Sequence, residues 1–91
     1  METEKIKNIY YKALKLINVL NLTDKIDIVV CFAEENKNAF YFVIETKDLE
    51  HYYFALKKWY STLSTKISGL FLKDYEELEE AVLNFIKLFK D

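Results

Sequence analysis

Apolar positions follow two different periods along the chain. Over residues 4–20, Ile6, Ile9, Tyr10, Ala13, Leu14, Ile17 and Leu20 recur at three- and four-residue spacing, which predicts a helix with one buried face. Thr3 is the expected N-cap, with Glu4 in the first turn to suit the helix dipole. Asn21 is expected to end the helix in a left-handed conformation. Residues 25–33 then predict a strand with Ile26, Ile28, Val30 and Phe32 on one side and Asp27, Val29, Cys31 and Ala33 on the other. A polar tip follows, where Asn36-Lys37 can supply a tight turn. The return strand directs Phe40, Phe42 and Ile44 one way and Ala39, Tyr41, Val43 and Glu45 the other. Both faces are mostly apolar, so both are expected to be covered, by helices or by a second subunit.

A second helix is predicted from Asp48 to Leu63, with Thr46 as a competing cap. Leu49, Tyr52, Tyr53, Leu56, Trp59, Tyr60 and Leu63 fall within one arc, and Phe54 lies outside it among Glu50, Lys57, Lys58 and Ser61. A short strand over residues 66–72 carries the single glycine, Gly69, which suggests a bulge or a close backbone approach. The last helix is predicted over residues 74–90. Asp74 followed by Glu77 is a capping-box-like start. Leu78, Ala81, Val82, Phe85, Ile86 and Phe89 form its buried stripe, and Leu83 falls outside it. Lys47, Asp48, Glu50 and Ala55 match Lys73, Asp74, Glu76 and Ala81 in identity and spacing, which argues for two strand–helix units of one design.

The expected fold is α+β, in the order α-β-β-α-β-α, with three helices packed on a three-stranded, mainly antiparallel sheet. The third strand is favoured beside the first, which makes the sheet wholly antiparallel. The other arrangement places it beside the second through a right-handed crossover. Residues 1–91 are expected to be one domain.

Composition narrows the function classes. The chain has 91 residues, is 52% hydrophobic and has a net charge of −2, so it can fold around a core and is not disordered. All its basic residues are lysines, which weighs against base reading and bidentate phosphate clamps. A single cysteine, Cys31, excludes an internal disulfide and a cysteine zinc cluster. No apolar run is long enough for a membrane span, and M-E-T-E-K lacks the apolar core of a signal peptide. The expectation is a cytoplasmic protein.

No phosphate-loop or dinucleotide-binding glycine pattern occurs, and no paired metal-ligand spacing. A catalytic triad would need His51, the only imidazole, whose neighbours Asp48 and Glu50 belong to the same predicted helix start. The acidic run Asp74, Glu76, Glu77, Glu79 and Glu80 is spread around a helix, whereas hard cations want converging oxygens. No cofactor, metal or small-molecule substrate is expected, and no enzymatic activity. Lys7, Lys12 and Lys15 with interleaved Tyr11 form the face best suited to nucleic acid, since lysines track phosphate and an aromatic stacks a base.

Tyr11, Phe54 and Leu83 are large apolar groups on otherwise polar predicted faces. Together with two apolar sheet faces they favour an interface. The leading expectation is therefore a non-enzymatic protein-interaction module, a homodimer or a small subunit, regulator or inhibitor of a larger complex. Binding would be carried by Tyr11, Phe54 and Leu83, with charged rims from Lys57, Lys58, Glu76 and Glu80. The alternative is a weak, sequence-nonspecific nucleic-acid binder using the first helix.

Absence of Arg and Gln, with abundant Lys, Glu, Ile and Tyr, resembles the usage of small proteins from Sulfolobus-type archaea and their viruses, and suits a thermophile. The predicted order hairpin–helix–strand–helix resembles the core of GIY-YIG nucleases, but the two glycines of that motif are missing and no arginine exists for its catalytic position. It also resembles the hybrid-binding domain at the start of some RNases H, without that domain's Trp and Gly positions. Neither site carries over to this chain.

Overall fold

A computed structural model describes residues 2–33 and 38–90. The first helix, α1 (Glu2–Val19), buries Ile6, Ile9, Ala13 and Ile17 as the spacing predicts. Thr3 lies inside α1 and is not its cap. Asn21 takes φ 57°, so the helix stops where a left-handed residue was expected. Two strands follow, β1 (Ile26–Phe32) and β2 (Phe40–Thr46). They pair antiparallel from Ile26 opposite Thr46 to Phe32 opposite Phe40. The predicted Asn36-Lys37 turn lies outside the described residues.

The chief departure comes next. The segment predicted as the start of a helix is a third strand, β3 (His51–Leu56), antiparallel to β2. A four-residue connection, residues 47–50, enforces the reversal. Leu49 sits at φ 65°, and the Thr46 side chain accepts a hydrogen bond from the Glu50 N–H at 3.1 Å. The apolar run serves either period, and strand pairing wins because it sets Phe54 opposite Phe42, Tyr52 opposite Ile44 and Tyr53 opposite Val43. The similarity to residues 73–81 therefore joins a strand to a helix and marks no structural repeat. The nuclease-like and RNase H-like element orders lapse with it.

A 3₁₀ turn (Lys57–Trp59) and a short helix, α2 (Tyr60–Leu63), then lead to β4 (Leu70–Leu72). This last strand runs parallel to β3, pairing Phe54 with Leu70 and Leu56 with Leu72. The fold is α+β as expected, but the sheet is mixed and four-stranded in the order β1-β2-β3-β4. The final strand lies beside neither of the strands proposed for it. The last helix, α3 (Tyr75–Lys87), opens with the Asp74 carboxylate accepting from the Glu77 N–H at 2.9 Å. Helices α1 and α3 cover one face of the sheet, over a core that includes Phe40, Phe42, Ile44, Phe54, Leu78, Val82 and Ile86. Phe54 is only 4% exposed and packs edge-on against Phe85. No helix among the described residues is long and apolar enough to cross a membrane.

Candidate functional site

Alternation along the strands decides what the helices do not cover. Even-numbered residues of β1, β2 and β3 point toward α1 and α3. Odd-numbered residues form the opposite face in cross-strand rows. One row is Asp27, Glu45 and His51. The next is Val29, Val43 and Tyr53. The third is Cys31, Tyr41 and Ala55, with Phe71 of β4 beside Ala55. Helix α2 and the loop after it cover only one end of this face, where Ala33, Ala39, Ala55, Leu63 and Ile67 make a small second core. The remainder is a shallow depression of about 420 Å³ lined by Asp27, Val29, Cys31, Tyr41, Val43, Glu45, His51 and Tyr53. The expectation that helices or a partner would cover both faces is thus met by this chain over one face and part of the other.

Aromatic and polar contacts fix the depression's floor. His51 Nε2 lies 2.8 Å from the Glu45 carboxylate, and its ring stacks on Tyr53 at 6.3 Å. Tyr41 meets Tyr53 edge-on at 6.0 Å. Burial raises the Tyr41 phenol above its ordinary range, with Cys31 adding to the shift. Cys31 is half-buried. His51 and Cys31 share the face but stand on different cross-strand rows, and His51 faces a carboxylate. No nucleophile–base pair is assembled there.

Strand β1 forms one margin of the sheet. The Ala33 N–H donates to the Ala39 carbonyl at 2.9 Å and the Lys47 N–H to the Lys25 carbonyl at 3.1 Å. In that register the odd residues of β1 exchange ladder bonds with β2, and the even residues turn their N–H and C=O groups outward. The first two outward N–H groups are satisfied internally. Ile26 donates to the Leu22 carbonyl at 3.0 Å and Ile28 to the Asp27 carboxylate at 2.9 Å. Among the described residues, no acceptor takes the outward N–H of Val30 or Phe32. Val29 is 44% and Phe32 52% exposed. An apolar groove of about 380 Å³ runs beside this margin, between Ile6, Tyr10, Val30 and Phe32.

The residues expected to carry an interface are scattered. Phe54, expected at the surface, is in the core, because as a strand residue it faces α3. Leu83 is half-buried and packs against the same core. Tyr11 is 60% exposed on α1, as expected. Lys57, Glu76 and Glu80 are exposed on other parts of the molecule. Lys58 is engaged with Glu2 and lies over the rings of Trp59 and Tyr75. On the proposed nucleic-acid face, Lys7, Lys15 and Tyr11 are exposed, whereas Lys12 is paired with Glu79 at 3.1 Å. The hollow on that face is lined by Glu4, Lys5, Lys7, Asn8 and Tyr11 of one helix, so it is a gap between solvated side chains. Among the described residues no three His, Cys, Asp or Glu side chains converge as a metal site.

The missed residues, Val29 and Phe32, were legible as apolar strand positions. Their exposure followed from β1 being marginal, which depends on the misread third strand. Compared with protein-family models, curated proteins and solved structures, the chain matches none.

Proposed function

We propose that this chain is a non-enzymatic protein-interaction module of the cytoplasm, a subunit or regulator of an assembly. Its contact surface is the uncovered side of the sheet together with the β1 margin. The carrying observation is that face itself. Exposed Val29 and half-buried Cys31, Tyr41 and Tyr53 surround buried Val43 in one contiguous apolar and aromatic face that α2 covers at one end only. Contiguous apolar area of this kind marks interaction sites more often than single exposed side chains do, and tyrosines are enriched where proteins bind one another. This reading moves the contact surface away from Phe54 and Leu83 and keeps the class of function.

Substituting Val29 tests it, because the exposed side chain can become charged without burying that charge in the monomer. Wild type and Val29→Lys would be compared for self-association and for partners captured from extract of the native cells. The reading expects the wild type to associate, with itself or with a specific protein, and Val29→Lys to lose that association while keeping its circular dichroism. A wild type that stays monomeric and retains nothing the variant fails to retain would overturn it.

A further inference from the structure

Resting on the interaction reading above, we propose that the partner at the β1 margin is a second copy of this chain. The two β1 strands pair antiparallel about a two-fold axis at Cys31 and join two four-stranded sheets into one.

The hydrogen-bonding pattern selects both the occupant and the register. An antiparallel strand margin is self-complementary, because each outward residue offers one donor and one acceptor. On β1 the Ile26 and Ile28 donors are already satisfied within the chain, so the half of the strand open to pairing is Val30 and Phe32. One register uses both residues reciprocally. Val30 stands opposite the partner's Phe32, and Phe32 opposite the partner's Val30. Four backbone hydrogen bonds then form, two from each copy. The same register sets the exposed Phe32 ring beside the other copy's Val30, at the groove that Ile6, Tyr10 and Val30 line. Residues 29–33 read V-V-C-F-A, so no charge opposes another across the pairing. Natural margins are guarded against such pairing by Pro, Lys or a bulge, and these five residues contain neither Pro nor Lys.

Cys31 falls on the axis as a non-hydrogen-bonded pair. Such pairs bring Cα atoms to about 4.5 Å, within the range a disulfide spans. The register is therefore open to chemical trapping.

Three measurements on the intact chain test the pairing. Backbone amide exchange of the wild type is followed at low and high protein concentration, alongside sedimentation. The Val30 and Phe32 amides are expected to slow as dimer forms. Val30→Pro removes an outward donor and no ladder bond, so Pro is placed where a marginal strand tolerates it. Association is expected to weaken about tenfold or more. Brief oxidation with diamide, which takes up the two thiol hydrogens, is expected to trap a dimer through Cys31 that Cys31→Ser abolishes. Should Val30→Pro fail to fold, wild-type exchange and trapping still decide. A dimer whose Val30 and Phe32 amides exchange as in the monomer would overturn the pairing and leave the interaction reading standing. So would a monomer that still captures a Val29-dependent partner. A monomer that captures nothing would overturn both.

Discussion

Gly69 lies against the backbone of Tyr53, so that a Cβ on it would come within 2.5 Å of the Tyr53 carbonyl oxygen and 2.6 Å of its Cβ. This contact brings the start of β4 up to β3 and places Tyr53 on the floor of the uncovered face. Gly69→Ala is expected to push the two strands apart. Overpacking costs of about 1–3 kcal/mol are typical, and denaturant unfolding would measure the loss. An unchanged midpoint would mean that the β3–β4 junction relaxes freely.

Phe54 separates two accounts of the molecule. If it were a surface anchor, truncation would weaken binding and spare stability. Buried between Phe42 and Phe85, it should behave as a core residue. Phe54→Ala is expected to cost about 3–5 kcal/mol of stability. Thermal unfolding of that variant, read beside Tyr11→Ala with little change, checks the assignment.

The network joining both helix starts gives a pH signature. Tyr75 donates to the Glu2 carboxylate at 2.8 Å, and Lys58 engages the same oxygen. Burial first, and Glu2 second, push the Tyr75 phenol well above its ordinary value of 10.0. Hydrogen bonds from Lys58 and Tyr75 hold the Glu2 carboxyl below its ordinary 4.5. A raised phenol contributes stability that is complete below the unfolded-state value and is lost as pH climbs from there toward the folded value. Stability should therefore fall above about pH 10, and Tyr75→Phe should fall less steeply. At the acid end the sign reverses. The Glu2 contribution is present above its unfolded value and disappears as pH drops through the folded one, so Glu2→Gln should flatten the acid limb.

On the α1 face bearing Lys7, Tyr11 and Lys15, Lys12 pairs with Glu79 and Glu4 stands among the lysines, which argues against phosphate binding there. Filter binding to single- and double-stranded DNA and RNA is expected to give no retention that falls with salt. Salt-sensitive binding lost in Lys7→Glu would reinstate that surface.

Much of the architecture was legible because its signals were local. The periodic stripe of α1, Asn21 at its end, the β1–β2 hairpin faces and the Asp74–Glu77 cap all rest on a few neighbouring residues. The segment 48–63 was not, because His51, Tyr52, Tyr53, Phe54, Ala55 and Leu56 satisfy a helical arc and a strand buried on both faces about equally well. Phe54 held the clue. It fitted no helical face, yet with Tyr52 and Leu56 it forms an alternating core row. Taken as surface exposure, and not as evidence against the helix, that misfit puts Phe54 in the expected interface, whereas the structure buries it. It also hid β1's place at the sheet margin, since a margin is defined by strand order and strand order is not a local property. For Gly69 the sequence suggests a bulge or a close backbone approach, and the structure shows the approach, to Tyr53, a residue that the sequence does not single out.

Sedimentation equilibrium of wild type and Val29→Lys over a wide concentration range tests the central claim most directly. The account predicts that the 10.9 kDa chain shifts toward twice its mass as wild-type concentration rises, while the variant stays monomeric. Both proteins paired alike would contradict the assigned surface, and both single, with no partner captured in a Val29-dependent way, would contradict the account.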